Sequence, residues 1–372
     1  MERHASASQP THTNIGVVGL GIIGRAIAAH LRRKGFPVFV WNRSPRPVPN
    51  FVGSLGELAE LCNHIQIFVS DDDALLQTVE QLSEKLTPRH VVLAHCTVAP
   101  DSMRAAAEMV ERRRARFVEA CFTGSKGAAE KGELVYYVGG TDEAVRAART
   151  ILEASGKEIV QIGSVGQASA IKIATNMVTA ASVQAAAEAL ALVQAQGLPL
   201  EKFLEAMRVN ASYSGTLAMK LPKMLSHDFE PHFSVKHMLK DMQIATQLAL
   251  AHYLDLGVTA AARDQLSEQM QWGHGEHDYS AVLRKHLHEP ALGFYEESQM
   301  PEAHESSGTE EALADAAEAA TENLQVREAD IVVPQGSLLT LSGGVGATAP
   351  AAAPVRRGFL RQLLSRLSSG QE

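Results

Sequence analysis

The sequence predicts an α/β domain, then a long helix with an all-α domain, and finally a tail that builds no core. Three observations support this fold class. Short apolar runs of strand length alternate with helical segments over residues 13–165. An alanine-rich helical stretch then extends from Gln167 to about Gln196, and helical segments continue within residues 166–288. Beyond residue 288 the composition becomes that of a linker.

Composition indicates a soluble globular protein and excludes several functions. The chain has 372 residues, 45% hydrophobic and 20% charged, which suffices for two domains. The net charge is −8 and no broad basic cluster is present, so we expect no nucleic acid partner. We predict no transmembrane segment, because no run of about eighteen residues is apolar throughout. A polar N-terminus without a secretory signal and unpaired cysteine spacing predict a cytoplasmic location.

The first strand leads directly into a glycine-rich loop. The apolar run Asn14–Val18 is followed by the loop and then by helical periodicity over Arg25–Leu31. Strand, G-x-G-x-x-G and helix in this order indicate a Rossmann domain, in which the glycines permit a tight turn, approach of a pyrophosphate and close packing. The helix N-terminus would hold the anion. We predict that the cofactor is bound by Gly19, Leu20, Gly21, Ile22, Ile23 and Gly24.

The residues after the second strand indicate which dinucleotide is bound. That strand, Pro37–Trp41, is followed by Asn42, Arg43 and Ser44. A fold selective for NAD(H) places an acidic residue here, whereas an arginine suits the 2′-phosphate of NADP(H). We predict that these three residues bind the cofactor and that NADP(H) is favoured over NAD(H). The alternative is that Arg43 is an ordinary surface arginine.

Further polar residues follow two later strands. Ile65–Val69 leads into Ser70, and Val91–Ala94 leads towards Thr97. Ligands of doubly wound sheets bind beyond the carboxyl ends of the strands. We therefore predict that Val69, Ser70 and Thr97 line the cofactor groove.

A glycine-containing loop follows another strand, Phe117–Cys121. Thr123, Gly124 and Ser125 in this loop offer backbone N–H groups and hydroxyls suited to a carboxylate. We predict that these residues bind the substrate.

No metal site is predicted. The run Asp71–Asp73 is better suited to cap a helix that begins at Ala74. His274 and His277 have no cysteine partner and are expected at the surface.

Lys172 and Asn176 are the candidate catalytic residues. They follow the turn Gly163–Gly166 and are four residues apart, so a helix presents them on one face. A positioned lysine donates a proton or hydrogen bond to an oxygen that becomes an alkoxide. This pair after a dinucleotide loop therefore predicts oxidation or reduction, and the alternative for Lys172 is a solvated helix surface.

With these motifs in order, the chain resembles the β-hydroxyacid dehydrogenase family. That family includes 3-hydroxyisobutyrate dehydrogenase, tartronate semialdehyde reductase and the glyoxylate/succinic semialdehyde reductases. The resemblance covers Asn14 to about Leu287 and rests on the loops at 19–24 and 123–125, the Lys172 helix and the segment Phe233–Asp241. The last segment and the Gly124–Gly127 loop lean towards the glyoxylate/succinic semialdehyde reductase branch.

The resemblance implies roles for single residues. Lys172 would be the catalytic lysine and Asn176 its orienting partner. Thr123 and Gly124 would bind the substrate carboxylate.

Residues of the all-α domain complete the implied pocket. Phe233 and Asp241 would close it, and Lys240 would contact the cofactor. The chain departs from the family pattern at Thr123, where serine is usual, at Thr175, where asparagine is usual, and at Phe122, which adds bulk near the pocket. These departures leave the identity of the substrate open.

We therefore predict NADPH-dependent reduction of a small acid aldehyde, such as glyoxylate, succinic semialdehyde or a related semialdehyde, to the hydroxy acid, or the reverse oxidation of a 3-hydroxyacid. One alternative is an imine reductase, a related group with the same fold that usually lacks the lysine. Another is a non-catalytic NADP-binding scaffold recruited through the tail. The resemblance and the apolar helical domain imply a homodimer or homotetramer.

The tail is predicted to have a separate role. Residues 289–354 have the composition of a disordered linker, and we predict a short amphipathic helix over residues 355–369. One face of that helix would carry Phe359, Leu360, Leu363, Leu364 and Leu367. We predict a docking peptide for a protein shell or scaffold, which would recruit the protein to a protein compartment. Contact with a membrane surface is the rival interpretation, and no role is the third.

Overall fold

The computed structural model describes residues 13–286. The linker predicted at 289–354 and the docking helix predicted at 355–369 lie outside the described residues. Residues 13–286 belong to one packed unit of the chain.

A seven-stranded sheet forms the first part of this unit. Its spatial order is β2-β1-β3-β4-β5-β6-β7, and every neighbouring pair is parallel except β5 and β6, which are antiparallel. The last two strands have no counterpart in the sequence prediction. The strands are β1 (Ile15–Val18), β2 (Val38–Trp41), β3 (His64–Ile67), β4 (Val91–Ala94), β5 (Arg116–Thr123), β6 (Leu134–Gly139) and β7 (Gly156–Gly163).

Helices cover both faces of the sheet and bury two separate apolar clusters against it. Asp71 caps α3 as predicted, because its Oδ1 accepts a 2.9 Å hydrogen bond from the Ala74 amide, although the helix begins at Asp72 rather than at Ala74. The helices are α1 (Ile22–Arg33), α2 (Leu55–Leu61), α3 (Asp72–Ser83), α4 (Pro100–Glu111), α5 (Lys126–Lys131) and α6 (Asp142–Ser155).

The second part is helical and is built around one long helix. Its apolar cluster includes Leu190, Leu221 and Met242, all fully buried. The fold class is therefore the predicted one, a Rossmann α/β domain followed by a long helix and an all-α domain. The helices are α7 (Gln167–Ala195), α8 (Leu200–Arg208), α9 (Gly215–Leu225), α10 (Val235–Ala251) and α11 (Gly257–Gln271), followed by a 3₁₀ helix (Tyr279–Lys285).

Among the described helices, α7 is long and apolar enough to cross a membrane by length and composition alone. The central helix of a water-soluble protein passes the same test. Helix α7 buries Asn176 and Gln184 and packs on β5, α9, α10 and α11. The absence of a transmembrane segment stays a prediction.

Candidate functional site

The glycine loop joins β1 to α1 with little room for side chains on its inner side. Gly19 has a φ of 91°, and a Cβ there would lie 2.1 Å from the carbonyl oxygen of Phe68. A Cβ on Gly24 would lie 2.0 Å from the carbonyl oxygen of Gly19. A Cβ on Gly21 would meet no atom within 4 Å, so the loop is open in front of the α1 N-terminus. A dinucleotide pyrophosphate fits this cradle.

The end of β2 supports the glycine loop. Asn42 accepts a 2.9 Å hydrogen bond from the Leu20 amide through Oδ1 and donates a 2.8 Å bond from Nδ2 to the Ser44 carbonyl oxygen. Its side chain therefore fixes the loop conformation. Arg43 and Ser44 are exposed beside it.

A cavity of about 570 Å³ lies between the carboxyl ends of the strands and the helical domain. Helices α7, α9 and α10 form its second wall. Five predicted site residues lie outside the lining: Gly19, Leu20, Asn42, Arg43 and Ser44. The predicted residues that line it are Gly21, Ile22, Ile23, Gly24, Val69, Ser70, Thr97, Thr123, Gly124, Ser125, Lys172, Asn176, Phe233, Lys240 and Asp241.

A buried carboxylate, itself a predicted site residue, links two other predicted side chains. Asp241 is completely buried, and its Oδ2 accepts a 2.6 Å hydrogen bond from Asn176 Nδ2. Its Oδ1 lies 2.7 Å from the Lys240 ammonium, which also donates to the Thr97 carbonyl oxygen. Helix α10 is thereby joined both to α7 and to the end of β4. Because both of its oxygens are engaged, Asp241 acts on the cavity through Asn176 and Lys240.

Lys172 differs from the other lysines of the cavity wall, because none of the described residues forms a hydrogen bond or ion pair with its Nζ. Lys240 is paired with Asp241, and Lys220 with Asp278. Burial lowers the pKa of Lys172; the charge of Asp241 opposes this shift and that of Lys240 adds to it. A cation with free N–H groups and a lowered pKa is suited to general acid chemistry.

The predicted substrate loop begins at the last residue of β5, Thr123. Gly124 has a φ of 135°, and a Cβ there would lie 2.8 Å from Leu134 Cδ2, so this turn requires glycine. The neighbouring Phe122 also lines the cavity, with its ring centroid 6.3 Å from that of Phe68. The bulk expected at this position is therefore part of the cavity wall.

Asp278 organises the helical wall, and the sequence interpretation missed it. Both of its oxygens lie 2.7 Å from Lys220 Nζ. Its Oδ2 also accepts hydrogen bonds from the backbone amides of His232 and Phe233, at 3.0 and 3.2 Å. This buried carboxylate holds the segment that carries Phe233. The contact was not predicted because Asp278 lies far from that segment in the sequence.

Glu119 is a second residue that the sequence interpretation missed. This fully buried β5 side chain accepts 2.7 and 2.5 Å hydrogen bonds from the amides of Gly166 and Ser169. It thus caps α7 from the sheet, one turn before Lys172. Burial raises the pKa of Glu119, and the hydrogen bonds from Ser169 and Gly166 oppose that shift. The sequence signal that could have identified Glu119 is its position as the one acidic residue in the apolar strand Phe117–Cys121.

His95 lines the cavity but is unsuited to proton transfer. Its Nδ1 lies 2.8 Å from the Ala120 carbonyl oxygen and its Nε2 lies 3.1 Å from Gln66 Oε1. Burial lowers the pKa of His95 to about 4. The ring is therefore neutral near pH 7 and packs flat on Phe68, with 4.5 Å between the centroids.

Together, the fold and the site define a Rossmann oxidoreductase whose cofactor groove is closed by a helical domain. Residues 14–163 match the family model for the NAD binding domain of 6-phosphogluconate dehydrogenase. Residues 166–286 match the model for the NAD-binding domain of NADP-dependent 3-hydroxyisobutyrate dehydrogenase. The chain belongs to the β-hydroxyacid dehydrogenase family of NAD(P)-dependent oxidoreductases.

Individual relatives show how far the similarity extends. Glyoxylate/succinic semialdehyde reductase 1 of Arabidopsis thaliana is 28% identical over 279 residues, which are 72% of this chain and 96% of that protein. The cytokine-like nuclear factor N-PAC of Homo sapiens is 28% identical over 289 residues, 75% of this chain but 52% of that protein. The chain thus spans about half the length of N-PAC. The crystal structure of 3-hydroxyisobutyrate dehydrogenase from Salmonella typhimurium has a TM-score of 0.68 and 22% identity, covering 73% of this chain and 99% of that one, and shows the shared fold.

Proposed function

We propose that the protein reduces a small acid aldehyde to the hydroxy acid, or oxidises the 3-hydroxyacid in the reverse direction. The observation that carries this proposal is the Lys172 ammonium. It lines the same cavity as the glycine loop, and no described residue pairs with it. A free cation beside a cofactor groove suits a reaction in which negative charge develops on a substrate oxygen.

The residues of the chain supply the acid chemistry. A bound nicotinamide supplies or accepts the hydride. Lys172 donates a hydrogen bond or proton to the carbonyl oxygen during reduction and takes the proton back during oxidation. Asn176 lies one turn away on α7, and its hydrogen bond to Asp241 holds its amide in place. We propose that this amide orients the substrate oxygen towards Lys172.

We assign the substrate carboxylate to the loop after β5. Thr123, Gly124 and Ser125 line the cavity together with Lys172. Their hydroxyl and backbone N–H groups suit a carboxylate, which gains charge-assisted hydrogen bonds there. Phe233 forms part of the opposite wall, with its ring 6.0 Å from that of Tyr279.

We further propose that NADP(H) is the preferred cofactor. Arg43 is exposed directly after β2, where a 2′-phosphate would lie in a Rossmann fold. Asn42 beside it is fixed by its bond to the Leu20 amide. Arg43 thus directly follows Asn42, the residue whose side chain holds the glycine loop.

We also propose a homo-oligomer assembled through the helical domain, in the cytoplasm. Large apolar side chains are exposed on this domain: Val178, Leu192, Val209, Leu250, Tyr253 and Val258. Exposed large apolar side chains are typical of protein interfaces where they form a patch. Light scattering on the purified protein tests the proposal, which a monomer would contradict.

The test of the activity is NADPH consumption with a panel of carbonyl substrates. The panel contains glyoxylate, succinic semialdehyde, methylmalonate semialdehyde, tartronate semialdehyde and one cyclic imine. Turnover of an acid aldehyde supports the proposal. Turnover of the imine alone would instead indicate an imine reductase. NADPH binding without turnover of any substrate would indicate a scaffold.

A further inference from the structure

His237 lines the cavity from α10 and has no part in the chemistry proposed above. It lies one turn before Lys240 and Asp241 on the same helix. Its ring packs against Phe233, with 6.1 Å between the centroids and 21° between the planes. A half-buried imidazole is therefore fixed in the helical wall of the site.

Ser234 sets the orientation of this ring. Its Oγ lies 2.6 Å from His237 Nδ1. Ser234 is the N-cap residue of α10, where a serine hydroxyl usually accepts a hydrogen bond from the helix backbone, yet its side chain makes no such bond. In the tautomer in which Nδ1 accepts from this hydroxyl, the second ring nitrogen carries the proton.

That second nitrogen, Nε2, is available to a ligand. Over residues 13–286 it has no hydrogen-bond partner, and it is not among the orphaned polar atoms sealed in the interior. In that tautomer a hydrogen-bond donor is left on a residue that lines the same cavity as the loop assigned to the carboxylate.

The charge state of His237 indicates what the donor would bind. Burial, together with the charges of Lys236 and Lys240, lowers the pKa of His237 against the opposing charge of Asp241. The ring is therefore neutral near pH 7. A neutral N–H suits a neutral acceptor such as a hydroxyl, whereas a second carboxylate would favour a cation.

We propose that His237 Nε2 hydrogen-bonds a hydroxyl on the substrate carbon next to the aldehyde, and so makes His237 a specificity residue. The substrate class is then a 2-hydroxy-3-oxo acid. This inference rests on the proposed function, in which the carboxylate lies at Thr123 and the aldehyde oxygen at Lys172. The third substituent of that carbon is assigned to the wall that α10 contributes to the cavity.

Two aldehydes provide a matched test. Tartronate semialdehyde carries a hydroxyl on this carbon, and methylmalonate semialdehyde carries a methyl group there. We expect the wild-type protein to favour the hydroxylated aldehyde by about tenfold in kcat/KM, the value of one hydrogen bond. The ratio of the two kcat/KM values is unaffected by a general loss of activity or of folded protein, because such a loss lowers both values equally.

Three variants locate the preference. His237→Phe keeps an aromatic ring without nitrogen, and the ratio should fall to about one. His237→Gln places an amide N–H near the former Nε2, and most of the preference should return. Ser234→Ala releases the ring, and the ratio should fall severalfold even if His237→Phe does not fold.

The outcomes separate this inference from the proposed function. If the wild-type protein reduces no acid aldehyde, the proposed function fails. If it reduces acid aldehydes but shows no preference for the hydroxyl, the inference alone is wrong. The same conclusion follows if the ratio is unchanged in both His237→Phe and Ser234→Ala.

Discussion

The Nδ2 atom of Asn176 donates a 2.6 Å hydrogen bond to Oδ2 of Asp241 and thereby joins α7 to α10. The other oxygen of Asp241 pairs with Lys240, which reaches the carbonyl oxygen of Thr97 at the end of β4. One carboxylate thus connects the helix that carries Lys172 with the sheet edge that lines the cofactor groove. The positions of Asn176 and Lys240 both depend on it.

Replacing Asp241 should therefore affect stability and activity together. Asp241→Ala removes the acceptor of Asn176 and one of the two acceptors of Lys240, and we expect a loss of about 1.5–3 kcal/mol in the free energy of unfolding. This expected loss is smaller than for a fully buried ion pair because the Lys240 side chain is 20% exposed. Urea denaturation measures the loss, and kcat should fall in the same variant.

Asp264→Ala is the matched control for this prediction. The Arg263–Asp264 pair has a similar 2.7 Å distance, but the Asp264 side chain is 64% exposed. Exposed pairs contribute about 0–1 kcal/mol. Equal losses in the free energy of unfolding of the two variants would show that Asp241 stabilises the fold no more than an exposed ion pair does.

Lys172→Met should abolish most of the turnover. The variant keeps the length of the side chain but removes the proton donor, and general acid catalysis contributes about two to four orders of magnitude in rate. NADPH binding, followed by fluorescence titration, should change little. Lys157→Met, at an exposed position on β7, is the control. Turnover within a few-fold of the wild type would exclude Lys172 as the acid.

The pH dependence should have opposite signs in the two directions. Reduction requires the protonated lysine, so kcat/KM should fall as the pH rises through the pKa of Lys172. Burial lowers that pKa, so the fall should begin below the ordinary lysine value of about 10.4. Oxidation requires the free amine and should rise over the same range.

A second variant tests the electrostatic origin of that profile. The charge of Asp241 raises the pKa of Lys172 against the effect of burial. Asp241→Asn removes this charge, and the alkaline limb for reduction should therefore move to lower pH. If the alkaline limb of the pH profile stays in place in Asp241→Asn, or moves to higher pH, a group other than Lys172 titrates there.

Arg43→Asp should change the cofactor preference. The substitution removes a cation from the expected 2′-phosphate position and introduces repulsion. We expect the NADPH/NADH ratio of kcat/KM to fall by at least about tenfold, the value of one charge-assisted hydrogen bond. Arg46→Asp, also exposed in the segment after β2, provides the control for a general charge effect. An unchanged ratio in Arg43→Asp would refute the phosphate assignment.

The parts of the site that lie close together in sequence were predictable. The glycine loop is followed directly by α1, and Lys172 and Asn176 line one cavity from a single helix, α7. Backbone geometry alone determines these relationships, because a helix repeats every few residues and a Rossmann turn has fixed positions for glycine. The fold class follows from the same local periodicity.

The packing of distant segments decided the rest. Lys240 meets Thr97 across 143 residues of sequence, and Glu119 meets Ser169 across 50. The antiparallel pairing of β5 with β6 is another such contact. The contacts of Lys240 and Glu119 arise when buried charges find hydrogen-bond partners in the closed structure, and no sequence period encodes those partners. The sequence by itself therefore determined the fold class and the candidate lysine, while tertiary packing decided that Asp241, Asp278 and Glu119 hold the residues around it.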